Sequence, residues 1–303
     1  MRRRFQTLDV FTDTPLAGNP LAVVHDAGGL DDGQMQAIAR EFNLSETVFV
    51  LYPHYPVNTA RLRIFTPSAE LPFAGHPTIG AAIAIAQARA PDLLARSSLR
   101  VVLEEKIGDV ICDVMQKRGS AAWASFKLPL LPHEVDGPMA DAAALAAALS
   151  ILPDDIGFDD HVPSRYSAGV SFTFVPLKTR AAIAQAKPDL KAWADLAQTS
   201  NSSVFIYAPE VDQEGHAFSA RMFAPLLGIA EDPATGAAIA ALAGAIVAFD
   251  RPEDGEHSLM IEQGFDMGRG SLIHLTLHIE HGRLAKASIG GSAVVVQDGT
   301  LSA

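Results

Sequence analysis

Apolar residues along this chain fall mostly into short runs set off by Gly, Pro or Asp. The runs at 8–11, 21–24, 47–51, 61–65 and 101–103 are rich in aliphatic and β-branched side chains and read as strands. The pattern continues at 110–114, 122–128, 172–176, 204–207 and 218–223. Residues 271–279 alternate cleanly: Leu272, His274, Thr276 and His278 share one face, and Ile273, Leu275, Leu277 and Ile279 the other, as in a half-buried strand. Helical periodicity is rarer. Asp31 and Asp32 open a helix carrying Met35, Ile38, Ala39 and Phe42, and alanine-rich segments at 138–149, 178–185 and 189–197 predict others. Two segments, 77–90 and 233–249, have almost no polar face over their first turns. A helix that is apolar all round must be enclosed all round, so curved sheets around central helices are expected.

Those two segments are also copies of one pattern. His76-Pro77-Thr78-Ile79-Gly80-Ala81-Ala82-Ile83-Ala84 matches Asp232-Pro233-Ala234-Thr235-Gly236-Ala237-Ala238-Ile239-Ala240. Upstream, Arg63-Ile64-Phe65-Thr66-Pro67 matches Arg221-Met222-Phe223-Ala224-Pro225, and a looser match links the stretches after Gly18 and Gly169. Offsets of about 150 to 160 residues, roughly half the chain, indicate a duplicated domain. The expected fold is α+β, with two pseudo-symmetric domains, each a β-barrel wrapped around a central α-helix. The expected domains are 1–130 and 131–303, divided at Leu128-Pro129-Leu130-Leu131-Pro132, with a last strand near 293–296 returning to the first half.

Composition narrows the functional classes. The chain has 303 residues, enough for two ordinary domains, and its 49% hydrophobic and 19% charged residues describe a folded globular protein. A formal charge of −12 disfavours nucleic acid and anionic membrane as partners, since both select basic surfaces. Arg2, Arg3 and Arg4 resemble the start of a targeting signal, but Asp9 and Asp13 interrupt any apolar stretch that could follow. The longest apolar run, 236–249, falls short of the about 20 residues of a membrane span. The single cysteine, Cys112, permits no internal disulfide and reads as a core residue, so a cytoplasmic location is expected.

The candidate chemistry lies at the two enclosed helices. Pro77 and Pro233 fit the first helical position, which makes His76 and Asp232 the expected N-caps. Aspartate is a favoured cap and histidine is not, so His76 points to function more strongly. Helix N-termini offer amides and a positive dipole end to a carboxylate. Two such ends related by a pseudo-twofold would face each other across a cleft suited to a small anionic substrate. Glu46, in Asn43-Leu44-Ser45-Glu46-Thr47, sits where a helix gives way to an apolar strand, which favours partial burial of its carboxylate.

These motifs, taken together, resemble the phenazine-biosynthesis isomerase family (the PhzF-like proteins). The resemblance rests on Phe11-Thr12-Asp13, Ala17-Gly18-Asn19-Pro20, Asn43-Leu44-Ser45-Glu46-Thr47, Phe73-Ala74-Gly75-His76-Pro77-Thr78 and Glu231-Asp232-Pro233-Ala234-Thr235-Gly236. Gln263-Gly264, Met267-Gly268-Arg269 and Ile289-Gly290-Gly291 extend it over essentially the whole chain. It implies the diaminopimelate-epimerase-like fold, a homodimer, and a cofactor-independent isomerase of a small cyclic carboxylic acid, such as a dihydro-hydroxyanthranilate. It further implies that Glu46 carries the proton, that His76 and Asp232 assist, and that Ser45 and the amides at Gly75, Gly236 and Ala237 bind the substrate. A proton carrier working near neutral pH needs a raised carboxyl pKa, which burial supplies. Ala237 stands where the family often has serine, which removes a hydroxyl contact; Gly270 replaces a frequent proline.

Other chemistries fit less well. Related racemases use a cysteine at each helix start, whereas His76 and Asp232 occupy those positions here, leaving open an epimerase with other bases. A metal site of His274, His278 and His281 is disfavoured, because residues four apart on a strand are separated by roughly 13 Å, too far to share an ion. The glycines of 264–270 lack the strand–turn–helix context of a dinucleotide site, and no Gly-x-Ser-x-Gly elbow occurs. A relative that binds a small molecule without catalysis is the reading from another class; Ala237 favours it, and the joint presence of Glu46, His76 and Asp232 argues against it.

Overall fold

The computed structural model describes residues 2–199 and 202–303. They group into two units, one formed by the chain up to Pro129 together with Gly290–Ala303, the other by Leu130–Ile289. The first unit contains strands β1 (Arg2–Val10), β2 (Asn19–Val24), β3 (Glu46–Leu51), β4 (Ala60–Phe65), β5 (Glu70–Leu71), β6 (Leu99–Glu105), β7 (Gly108–Met115) and β8 (Ala122–Lys127). Its helices are α1 (Asp32–Phe42), α2 (Gly75–Arg89) and the short α3 (Pro91–Leu94).

Pairing runs β1–β2–β3–β4–β6–β7–β8, and the C-terminal strand Arg283–Ser302 joins β8 back to β1, closing a barrel of eight strands. The early residues pair with the late ones, Arg2 opposite Ser302 and Val10 opposite Ala293. α2 fills the barrel, packing against β1, β2, β3, β6, β7 and β8, with every residue from Gly75 to Ala86 buried. Gly80 permits the closest approach: a Cβ there would lie 2.5 Å from Cδ2 of Leu21 and 2.8 Å from Cγ2 of Val10. α1 lies on the outer face, where Met35 and Ala39 pack with Val24, Phe49 and Phe65.

The second unit repeats this scheme with β9 (His133–Glu134), β10 (Ser164–Ser167), β11 (Ser171–Pro176), β12 (Val204–Ala208), β13 (Phe218–Ala224), β14 (Ile229–Asp232), β15 (Gly255–Gln263) and β16 (Ser271–Glu280). β10–β11 is antiparallel, β11–β12 parallel and β12–β13 antiparallel, the same senses as β1–β2, β2–β3 and β3–β4. β13 pairs with β14 antiparallel and with β15 parallel, as β4 does with β5 and β6. The helices are α4 (Ala142–Leu149), α5 (Arg180–Gln185), α6 (Leu190–Thr199) and α7 (Gly236–Asp250). α7 takes the place of α2, against β9, β10, β11 and β16, while α4, α5 and α6 cover the outer face through Leu145, Leu149, Ile183, Trp193 and Leu196. The fold is therefore α+β, built on two pseudo-symmetric barrel-and-helix units. No helix among the described residues is long and apolar enough to cross a membrane.

One polar device recurs in both units. Arg63 on β4 donates through Nε and Nη2 to both oxygens of Glu70 on β5, at 2.8 and 2.6 Å, with its guanidinium 5.1 Å from the ring centre of Phe65. Arg221 on β13 grips Glu231 on β14 in the same way, at 2.8 Å through each nitrogen, and lies 4.8 Å from the Phe223 ring. Arg221 also donates from Nη1 to the carbonyl oxygens of Ile183 and Ala186, both at 2.9 Å. Two-pronged pairs of this kind fix geometry as well as adding energy. Arg221→Leu leaves the half-buried Glu231 and two carbonyls without their donor. It is expected to cost about 3 kcal/mol, read as a lower urea midpoint with an unchanged slope.

Candidate active site

Glu46 is delivered by the end of α1. Asp31 caps the start of that helix, accepting from the Gln34 N–H at 2.8 Å while the Gln34 side chain accepts from the Asp31 N–H. Asn43 ends it in the left-handed conformation, φ 51°, its N–H bonded to the Ala39 carbonyl. Asparagine tolerates that conformation better than most residues, and the turn sends the chain through half-buried Ser45 into β3. Glu46 is the first residue of β3, opposite Leu21 on β2, with its side chain 15% exposed.

α2 begins two residues earlier than Pro77 suggests. Ala74 is the extended N-cap, φ −153°, and its carbonyl accepts from the Thr78 N–H at 3.1 Å. His76 is therefore the second helical residue and Pro77 the third, which corrects the expectation that His76 is the cap. The first-turn N–H groups of a helix have no intrahelical acceptor, so proline at the third position forfeits no hydrogen bond. No side chain caps this helix, and Gly75 and His76 lie at its positive end. His76 is 5% exposed, and its Nε2 lies 3.2 Å from Oε2 of Glu46 without the alignment of a hydrogen bond. Burial pushes its imidazole down to about 3, so the ring is neutral at pH 7.

In the second unit the helix begins later than Pro233 suggests. Asp232 ends β14, Thr235 is the N-cap, and α7 starts at Gly236. Asp232 is therefore not the cap. The Thr235 hydroxyl donates to Oδ2 of Asp232 at 2.6 Å, and Gln263 holds the segment in place from β15. Its Oε1 accepts from the Thr235 N–H at 3.0 Å, and its Nε2 donates to the Asp232 carbonyl at 2.8 Å and to the Thr235 hydroxyl at 2.9 Å. With its amide held by Gln263, Thr235 becomes the place where the helix can begin. Gly264 comes next, at φ 77°, and a Cβ there would lie 2.6 Å from the Pro233 carbonyl and 2.5 Å from that of Arg269. Only glycine allows so close a passage. Ala237 is half-buried in the first turn, between buried Gly236 and Ala238.

The structure thus brings Glu46 and His76 together, with Ser45 and Gly75 adjacent to them in the chain. Asp232, Gly236 and Ala237 occupy the matching start of α7. Thr235 and Gln263 carry no role in the sequence reading, although both lie within quoted motifs. Their signal is only the pairing of a strand end with a helix start, which sequence spacing does not display.

The chain matches the phenazine biosynthesis-like protein family over residues 8–299. It is 49% identical over 304 residues to an uncharacterized isomerase of Mesorhizobium japonicum, covering 99% of this chain and 98% of that one. It is 34% identical over 295 residues to the trans-2,3-dihydro-3-hydroxyanthranilate isomerase of Pseudomonas chlororaphis, covering 97% of each. Among solved structures, a PhzF-family protein of Bacillus anthracis shares the fold over 100% of both chains, with a TM-score of 0.87 at 24% identity. Motifs, fold and relatives agree from one end of the chain to the other: the protein belongs to the phenazine biosynthesis-like (PhzC-PhzF) family and is an isomerase.

Proposed function

We propose that this isomerase moves a proton between two carbons of a small cyclic carboxylic acid, without a cofactor, using Glu46 as both base and acid. The observation that carries the proposal is the 3.2 Å approach of Glu46 to a neutral His76 in the uncapped first turn of a helix. The Pseudomonas chlororaphis relative suggests a substrate of the dihydro-hydroxyanthranilate type.

In the proposed reaction the Glu46 carboxylate takes a proton from one ring carbon. The electron pair left behind shifts through the conjugated double bonds, and the Glu46 carboxylic acid returns the proton at another carbon. One C–H bond breaks and one forms, so substrate and product have the same composition. Negative charge develops on the ring between the two steps. Amides at Gly75 and at the positive end of α2 suit the substrate carboxylate and that charge. A neutral imidazole at His76 can accept or donate one hydrogen bond without opposing the carboxylate electrostatically. In the second unit, Asp232 is proposed to assist through the substrate's polar substituents, and the amides of Gly236 and Ala237 to bind carboxylate oxygen. Ser45 is proposed as a further substrate contact beside Glu46.

The test is a screen of cyclic hydroxy- and amino-diene acids for solvent deuterium uptake, with wild type beside Glu46→Gln. Wild type is expected to exchange and isomerise one of these acids, and to do so after exhaustive chelation and dialysis. Glu46→Gln is expected to bind that acid and lose at least about 100-fold in exchange, the scale of general acid–base catalysis. Equal exchange in both proteins would remove Glu46 from its role. Binding without exchange in wild type would favour a binding protein, and inversion at a single carbon with no double-bond shift would favour an epimerase.

The neutral state of His76 has a consequence for stability that needs no substrate. Between its ordinary value of 6.5 and about 3, the unfolded chain binds a proton at His76 that the native state excludes. Wild type therefore loses stability as pH falls through this window, and His76→Asn removes that contribution. The melting temperature of the variant relative to wild type is expected to rise steadily as the pH is lowered from 6.5.

A second copy of the chain is the proposed partner. A solution-scattering mass twice the 32.1 kDa of one chain is expected, and a clean monomer would refute it.

A further inference from the structure

Glu105, the last residue of β6, is buried and has no part in the chemistry above. Its Oε1 lies 2.8 Å from the Thr78 hydroxyl, and its Oε2 has no hydrogen-bond partner. The same hydroxyl lies 2.8 Å from the carbonyl oxygen of Ala74, the N-cap of α2. A hydroxyl has one proton to give, and a carbonyl oxygen can only accept. If the Thr78 proton goes to Ala74, the bond to Glu105 must take its proton from the carboxyl group. An ionised Glu105 would compete with Ala74 for that proton, leaving one of the two contacts without a hydrogen and a buried anionic oxygen without a partner. Burial pushes the carboxyl up to about 8, against the opposing pull of the Thr78 hydrogen bond.

The duplicated unit supplies an independent argument. Arg61 stands opposite Glu104 between β4 and β6, and Ser219 opposite Glu262 between β13 and β15. Arg61 and Ser219 each lie two residues before a fork arginine, Arg63 and Arg221, so Glu104 corresponds to Glu262 and Glu105 to Gln263. The first correspondence holds in detail. Glu104 accepts from the N–H groups of His54 and Tyr55 and from Asn58, while Glu262 accepts from the N–H groups of Asp212 and Gln213 and from His216. The second places Glu105 where the other unit has an uncharged amide that fastens the start of α7 by accepting with one end and donating with the other. A neutral carboxyl group has nearly the same shape and also offers one acceptor and a donor.

We propose that Glu105 is held as a neutral carboxylic acid and acts as a positioning residue, its O–H fastening, through Thr78, the first turn of α2 that carries Gly75 and His76. Its importance for turnover rests on the isomerase mechanism proposed above; its protonation and its grip on the turn do not. The titratable groups around it leave it uncompensated. Cys112 on β7 is kept a neutral thiol by burial, and His76 on α2 is neutral. Lys106, next in the chain, is committed to Glu70 at 2.7 Å, and Asp113 beyond Cys112 pairs with Arg100.

The test uses the full chain without ligand, as wild type and Glu105→Gln. Infrared spectra of wild type with and without ¹³C-labelled glutamate should show a protonated-carboxyl band at pH 7 that vanishes above about pH 8. The amide resonances of Gly75, His76 and Thr78 should shift with that same midpoint in wild type and stay fixed in Glu105→Gln. Between 4.5 and about 8 the native state holds a proton that the unfolded chain releases, so wild-type stability falls as pH rises through this window. The melting temperature of Glu105→Gln relative to wild type should rise across the window and level off above it. Absence of the protonated-carboxyl band at pH 7 would overturn the proposal, and that measurement needs no variant. Amide shifts that titrate identically in Glu105→Gln would overturn the positioning role.

Discussion

A helix without a polar face cannot rest on one sheet; it has to be enclosed, and the rest of each unit follows from this. Alanine and small aliphatic residues make α2 and α7 narrow enough for strands to approach from several sides, as the contact of Gly80 with Leu21 and Val10 shows. The hydrophobic effect then favours closure of the sheet around the helix, and in the first unit closure is complete. Enclosure also limits where chemistry can occur. The body of such a helix offers a ligand nothing, so polar function is confined to its ends.

At those ends the backbone groups left over by helix geometry need partners. The forks Arg63–Glu70 and Arg221–Glu231 brace the short strands that lead into each helix, and each arginine is also stacked on a phenylalanine of its own strand. Beyond the forks the two units diverge. One start carries an uncharged amide and an aspartate, the other a buried carboxyl, a neutral imidazole and a second carboxylate nearby. After duplication the scaffold was retained, while the first turns became chemically distinct.

Much of this was visible in the sequence. Runs such as 47–51, 61–65 and 204–207 became strands because aliphatic and β-branched residues bounded by turn formers have few alternatives. The two apolar helices and the repeated Arg-x-Phe-x-Pro segment revealed the fold class, and the motifs around Glu46, His76 and Asp232 revealed the family. β15 was not visible, because His257, Ser258 and Glu262 break its apolar pattern; its order comes from pairing with β13 and β16. The helix starts were misplaced because proline marks the neighbourhood of a start without fixing its position: Pro77 is the third residue of α2, and Pro233 lies before α7. The equivalence of Glu105 and Gln263 was hidden more deeply, since the two differ in residue type and correspond only through strand register.

The C-terminal strand gives the first barrel an unusual dependence on the order of synthesis. β1 pairs with β2 as soon as both exist, but its other neighbour is the segment from Ala293 to Ser302, and Arg4 meets Asp298 across 294 positions of chain. During synthesis the first unit stays open along one seam until the segment Ala293–Ser302 has emerged. The strands β9 to β16 have by then all been made, and they lie without interruption inside Leu130–Ile289. The segment Leu130–Ile289 is thus complete before the seam of the first unit can close, and until then α2 lies in an incomplete barrel. Closing so long a loop is slow because many non-local contacts must form together. Strand β1 therefore gains its second neighbour only after the whole of the second unit has been made.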